Sequence, residues 1–200
     1  RVALPRTVFY TDLATVSFGQ ALCEGQAKTR AFEFPVQTSV CLLEQVEDSF
    51  DDILDLHKNL VAIPSINTGV MPTGNETEVA EYAREWLNTD GIEVEVIESA
   101  INRGNLIAKL PGASEKNKLM LMSHLDVVPV EDEGKWNHSP FGAEIDAGRV
   151  YGRGAYDCKG LLASQMMAMR LLKRNGLSLS DNLVLASGAD EESGGRYGFG

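Results

Sequence analysis

Apolar residues recur at helical spacing in three segments of the chain. In residues 49–64 they fall on one face of a predicted helix, which ends at a proline. Residues 75–91 show the same spacing, with Asn75 as the predicted N-cap and Gly91 just beyond the end of the helix. A third helix, predicted for residues 160–174, carries a stripe of methionines that we interpret as core filling.

Strand patterns alternate with these helices. Residues 92–98 alternate between polar and apolar side chains, and residues 105–110 form a second candidate strand. Residues 118–122 and 182–186 contain continuous apolar runs, as in strands that are buried on both faces. Helices that alternate with buried strands predict an α/β domain with a mostly parallel mixed sheet flanked by helices.

The start of the chain differs from the rest. Residues 1–46 show no clear period, so we treat them as an unassigned N-terminal extension and place the domain at residues 47–200. The three widely spaced cysteines do not form a disulfide framework, which favours a reducing compartment and predicts a cytoplasmic protein. Residues 8–23 resemble a weak signal peptide, so secretion stays open.

Composition limits the partners of such a domain. The 200 residues include 18 Lys and Arg against 29 Asp and Glu, which gives a net charge of −11. This balance argues against nucleic acid and against an anionic membrane as partners, because both need a basic face. No apolar run reaches the roughly 18 residues that a membrane-spanning helix requires.

Acidic and histidine residues follow the predicted strands, where an open α/β sheet binds its ligands. His124 and Asp126 follow one apolar run, Glu191 and Glu192 follow the other, and Asp157 precedes the third helix. Taken singly, each cluster has a structural explanation: a buried histidine that holds a carboxylate, a charge at a helix start, or a solvated turn.

Together these clusters predict a metal centre. Four carboxylates at one sheet edge destabilise each other unless cations neutralise them. One histidine with carboxylates is the ligand set of a borderline divalent ion such as zinc, and an aspartate can bridge two such ions. Residues two apart in a strand point the same way, so Asp126 can fix the tautomer of His124. Adjacent glutamates point apart, so one of Glu191 and Glu192 can bind metal while the other acts as a general base.

Several motifs occur in a characteristic order. Residues 123–129 read SHLDVVP, residues 151–160 read YGRGAYDCKG and residues 190–195 read DEESGG, with Trp136 and Pro140-Phe141 in between. In this order they resemble the co-catalytic zinc metallopeptidase family of aminoacylase, carboxypeptidase G, acetylornithine deacetylase and succinyl-diaminopimelate desuccinylase. The resemblance covers about residues 51–200.

The resemblance implies a role for each site residue. His124 would bind one zinc ion, Glu192 the other, and Asp157 would bridge them; cobalt or manganese could replace zinc. Glu191 would be the general base, and Asp126 would orient His124. The family usually has a cis peptide after the bridging aspartate. Cys158 stands there where a methionine is more usual, and we interpret it as a packing variant rather than a nucleophile.

The resemblance also implies an activity, namely hydrolysis of an amide bond in N-acyl amino acids or short peptides by a hydroxide bound to two zinc ions. Carboxypeptidase or dipeptidase action is the alternative within the family. A phosphoester substrate is disfavoured, because the acidic surface repels phosphate.

Two further metal ligands of the family, and its inserted lid and dimerisation domain, would lie after Gly200. We therefore expect the front part of an enzyme, truncated before that domain and able to dimerise only if the domain is present. A catalytically incomplete fragment, or a binding module, is the competing interpretation. His57, expected to be a surface or core histidine, and His138, expected to be exposed in a loop, match neither missing ligand.

Overall fold

Three helices form in the part of the chain that the computed structural model describes, residues 49–114 and 116–200. The predicted extension at residues 1–46 lies outside the described residues. The helices are α1 (Phe50–Ala62), α2 (Glu76–Asn88) and α3 (Leu161–Arg174). Each has one buried apolar face, as the helical spacing predicts. None of the helices in these ranges is long and apolar enough to cross a membrane.

The start of α2 differs in detail from the prediction. Asn75 stands at the N-cap position, but its side chain makes no capping hydrogen bond to the backbone. Its amide instead donates to the carboxylate of Glu78. At the other end Gly91 has φ of 66°, a left-handed conformation that suits glycine and lets the chain turn into the first strand.

Six strands form two sheets in the described residues. They are β1 (Glu93–Glu98), β2 (Gly104–Leu110), β3 (Asn117–His124), β4 (Glu144–Asp146), β5 (Arg149–Tyr151) and β6 (Asn182–Gly188). The main sheet has the order β1-β2-β6-β3, and β4 pairs with β5 in a separate hairpin.

The expected mixed sheet flanked by helices is confirmed, but most of its strand pairings are antiparallel rather than parallel. Only the β3–β6 pairing is parallel, whereas β1–β2 and β2–β6 are antiparallel. The turn between β1 and β2 is the physical reason for the first antiparallel pair, because a connection that short cannot make the crossover that parallel strands need.

The core lies between the three helices and the strands β2 and β6. It includes Met166 and Met169 of α3, both fully buried, which confirms that the methionine stripe fills the core. β6 is buried along its whole length, as its apolar run predicts. For β3 that prediction is wrong: Leu119, Met120 and Met122 are about half exposed, because β3 lies at the edge of the described sheet and pairs with β6 alone.

Candidate metal centre

The parallel pair β3 and β6 brings two distant segments of the chain to the same edge of the sheet. His124 at the end of β3 is paired in register with Gly188 at the end of β6. The next residue, Leu125, donates its amide to the Gly188 carbonyl at 2.8 Å. The segments that follow each strand, which carry Asp126 and Glu191, therefore leave the sheet side by side, as strand-end clustering predicts.

His124 is buried and surrounded by acidic residues. Its Nε2 lies 2.9 Å from Oδ1 of Asp157 and 4.0 Å from Oε2 of Glu191. Its Nδ1 lies 3.0 Å from the backbone carbonyl of Asp126 and 3.4 Å from Oδ1 of that residue. The structure thus gathers the predicted histidine with three of the four predicted carboxylate residues.

Asp126 does more than contact the imidazole. Its fully buried carboxylate accepts hydrogen bonds from the backbone amides of Glu191 at 3.1 Å and Glu192 at 3.0 Å, and from the Asn67 side chain at 2.8 Å. Burial alone would raise the pKa of Asp126, but hydrogen bonds with His124, Asn67 and the Glu192 amide lower it below its usual range. Asp126 therefore ties the end of β3 to the turn after β6, besides facing His124.

Asp157 lies in a kinked turn, Ala155–Gly160, that leads into α3. Its side chain is 69% exposed, and the bond from Asp157 to Cys158 is cis, as the resemblance implies. Cys158 is buried; its Sγ accepts a hydrogen bond from the His124 amide at 3.1 Å and donates to the His124 carbonyl at 3.3 Å. These contacts support the interpretation of Cys158 as a packing residue, which here also holds the backbone of His124.

Glu191 and Glu192 occupy a short helical turn, Glu191–Ser193. Burial raises the pKa of Glu192, and the neighbouring charges of Asp157, Asp126 and Glu191 raise it further against the opposing effect of His124. Among the described residues, the metal-ligating atoms that lie within 4.8 Å of one another belong to His124, Asp157 and Cys158. The Glu192 carboxylate does not join this group, so its predicted role as a ligand stays a prediction.

The charges of the site suit a cation. Burial disfavours a protonated imidazole, but the hydrogen bonds of the ring with Asp126 and Asp157 raise the pKa of His124 to about 12. The negative surroundings that stabilise a proton on this ring also favour a divalent metal ion. In the described part of the chain no lysine or arginine forms an ion pair with Asp157, Glu191 or Glu192. The residues present therefore fit a divalent metal ion.

Two other histidines lie away from this group. His57 donates from Nε2 to the carbonyl of Ala155 at 2.8 Å, since a carbonyl can only accept, and is partly buried. His138 stacks on Tyr151 with ring centroids 4.1 Å apart and bonds Glu144 at 3.1 Å. His57 thus makes a structural contact, whereas His138 is less exposed than expected because Tyr151 covers one face of its ring.

Several buried polar residues near the site were missed by sequence reasoning. Asn67 contacts both Asp126 and Asp190, and Arg103 contacts Asn67 and Glu76. A weak signal existed, because the resemblance covers about residues 51–200 and this range includes Asn67. Nothing in the local pattern marked Arg103.

Lys159 is a further buried polar group beside the site. Its Nζ donates to the Ile63 carbonyl at 2.6 Å, and burial lowers the pKa of this amine to about 7. This contact joins the kinked turn that carries Asp157 to the end of α1.

This chain is similar to known proteins in sequence and in fold. Residues 120–200 match the model of peptidase family M20/M25/M40. An N-formyl-4-amino-5-aminomethyl-2-methylpyrimidine deformylase of Halalkalibacterium halodurans is 32% identical over 155 residues, covering 76% of this chain and 36% of that protein. An acetylornithine deacetylase of Proteus mirabilis is 34% identical over 150 residues, covering 72% of this chain and 38% of that protein.

A solved structure agrees with these matches. It is that of an M20 family metallo-carboxypeptidase from Sulfolobus solfataricus, with a TM-score of 0.61 and 28% identity, covering 72% of this chain and 32% of that one. The chain thus spans little more than a third of the length of the curated relatives it matches. The resemblance seen in the motifs is confirmed: residues 120–200 match peptidase family M20/M25/M40, and the chain is similar to proteins named as a deformylase, a deacetylase and an M20 family metallo-carboxypeptidase.

Proposed function

We propose that this protein takes part in the hydrolysis of an amide bond in an N-acyl amino acid or short peptide, with two divalent metal ions, zinc by preference. The observation that carries the proposal is the meeting of His124 with the carboxylates of Asp157 and Glu191, at 2.9 and 4.0 Å. The names of two relatives support the bond type, since one is a deformylase and the other a deacetylase.

His124, Asp157 and Glu192 are the residues that would hold the metal ions, with Asp157 between them. Its carboxylate is well suited to this role, because it is exposed and has His124 as its only ion-pair partner among the described residues. When bound, the metal ions would lower the pKa of a water molecule and polarise the carbonyl group of the substrate.

Glu191 would move the proton. Its side chain is 56% exposed and reaches toward the imidazole of His124, while its backbone amide is held by Asp126. A carboxylate placed there can take a proton from the attacking water and pass it to the nitrogen of the leaving amine as the amide bond breaks. Asp126 is fully buried and would act only by holding His124 and the two glutamates in place.

The first test is the substitution Glu191→Gln, which removes the base but keeps the shape of the side chain. We expect the rate of N-acetyl amino acid hydrolysis to fall by about 10²–10⁴-fold, with the bound metal, measured by elemental analysis, unchanged. The exposed Glu131 offers a matched control, since Glu131→Gln should leave the rate unaltered. Near-normal turnover in Glu191→Gln would refute the role of Glu191.

Carboxypeptidase action is a second candidate, favoured by the 28% identity to the Sulfolobus solfataricus metallo-carboxypeptidase. Parallel assays of N-acetyl amino acids and of N-blocked dipeptides would separate the two activities. A chain that binds zinc but cleaves neither substrate class would favour the remaining alternative, a catalytically incomplete fragment.

A further inference from the structure

Five buried polar side chains form a connected group behind the metal centre. We call them the Asn67 network: Asn67, Glu76, Arg103, Asp126 and Asp190, each of which is at most 4% exposed as a whole residue. Arg103 forms an ion pair with Glu76 and donates from Nη2 to Oδ1 of Asn67 at 3.0 Å. Asn67 in turn donates from Nδ2 to Asp126 at 2.8 Å and to Asp190 at 2.9 Å.

Asn67 uses its full hydrogen-bonding capacity. Both hydrogens of Nδ2 are donated to carboxylates, and Oδ1 accepts from Arg103 and from the Gly69 amide at 2.9 Å. The Nδ2 group is the link between Asp126 and Asp190, two acids that repel each other when both are ionised. An amide at this position is therefore matched to its surroundings in a way that neither an acid nor an apolar residue would be.

The network connects the ends of β3 and β6 to the segment that contains Asn67 and to the start of α2. Asn67 is fixed by its backbone amide, which donates to the Val127 carbonyl at 2.9 Å, just after β3. Asp190 precedes the turn with the two glutamates, and its amide donates to Glu76 at the start of α2 at 3.3 Å. Asp126 receives the amides of Glu191 and Glu192.

We propose that Asn67 and Arg103 are positioning residues that, through Asp126 and Asp190, fix the turn that carries Glu191 and Glu192. They do not reach the reacting atoms. They set where the two glutamates stand relative to His124. The functional meaning of this placement rests on the proposed function, but the placement itself can be tested without it.

Amide hydrogen exchange measures the placement directly in the metal-free chain. Asn67→Asp replaces the bridging donor by a third carboxylate, so the amides of Glu191 and Glu192 should exchange about tenfold faster or more. The amide of Leu185 in the middle of β6 should keep its protection. Asn182→Asp is the matched control, because Asn182 is equally buried but lies at the other end of β6, bonded to Asn117. It should leave the two glutamate amides unchanged.

A second pair of variants tests the same proposal in case Asn67→Asp does not fold. Arg103→Lys keeps the charge but loses the planar fork that bonds Glu76 through Nη1 and Asn67 through Nη2, so it should also speed exchange at Glu191 and Glu192. Arg170→Lys is its control, since Arg170 is a buried arginine on α3 that pairs with Asp90. Zinc titration of the same proteins should show weaker binding for Arg103→Lys than for Arg170→Lys.

The outcomes separate the two proposals. Equal exchange at Glu191 and Glu192 in the folded Asn67→Asp and Asn182→Asp variants overturns the positioning role. If Asn67→Asp does not fold, unchanged exchange in Arg103→Lys overturns it. Failure of the unsubstituted chain to bind zinc counts against the proposed function instead, and leaves the exchange result to decide the placement.

Discussion

Carboxylates serve two different purposes on either side of His124. On the inner side Asp126 and Glu76 are fully buried, and each is bonded to nitrogen donors of the Asn67 network. On the outer side Asp157 and Glu191 are 69% and 56% exposed, and both face the imidazole.

The contrast shows that carboxylates at the same edge of a sheet can have a structural role when they are buried and can stay available for a ligand when they are exposed. Burial of a carboxylate is costly unless its oxygens accept hydrogen bonds. Both oxygens of Asp126 accept hydrogen bonds, and in this way Asp126 holds backbone segments together. The outer acids keep oxygens free for a ligand. Removal of an inner acid should therefore mainly lower the stability of the fold, whereas removal of an outer acid should mainly weaken metal binding.

Removal of the inner acid should have the largest effect on folding. Asp126→Ala leaves the Asn67 amide and the amides of Glu191 and Glu192 without their acceptor in a buried place. We expect the free energy of unfolding to fall by about 3 kcal/mol, measured by urea denaturation of the metal-free chain. If Asp126→Ala lowers the free energy of unfolding no more than Glu131→Ala, a variant of an exposed acid, Asp126 does not hold these segments together.

Removal of the outer acid should spare folding and abolish tight metal binding. Asp157→Asn is expected to change the free energy of unfolding by less than about 0.5 kcal/mol, because the side chain is exposed. Zinc affinity in a titration should fall by about 10²-fold or more. A large loss of stability without a loss of zinc affinity would instead give Asp157 a structural role like that of Asp126.

Substitution of Cys158 tests how the backbone of His124 is held in place, and a smaller effect is expected. Cys158→Ser preserves both hydrogen bonds with the backbone of His124, whereas Cys158→Ala removes them. Alanine should therefore cost about 1 kcal/mol more than serine in thermal or urea unfolding. Loss of hydrolysis by the serine variant, with metal retained, would argue instead for a chemical role of the thiol.

The mildest effect is expected from pH at His57. Burial lowers its pKa from the ordinary 6.5, against the raising effect of the bond to the Ala155 carbonyl, and the charge of Lys159 lowers it further. Because the folded-state value lies below the unfolded one, the stability contributed by neutral His57 is full above about pH 6.5 and is lost as the pH falls. His57→Gln should flatten this part of the stability curve between pH 7 and pH 5, measured by urea denaturation. An unchanged curve would assign the acid sensitivity to other groups.

Much of the site followed from local pattern together with one rule of α/β sheets. The apolar runs located β3 and β6, and the strand-end rule placed His124, Asp126 and Glu191 at one edge. The exposure of β3 was not predictable from its run, because burial depends on which strands lie beside it. The ligand roles of Asp157 and Glu192, dimerisation and a cytoplasmic location stay predictions.

By itself the sequence determined the helices, the buried strand β6 and the chemistry of the acidic motifs, since these depend on residue type and short-range spacing. Only the tertiary structure decided that Asn67 and Arg103, 36 positions apart, bond to each other and support the glutamate turn. Such contacts form between segments whose spacing carries no period, so their partners are set by the packing of the whole domain.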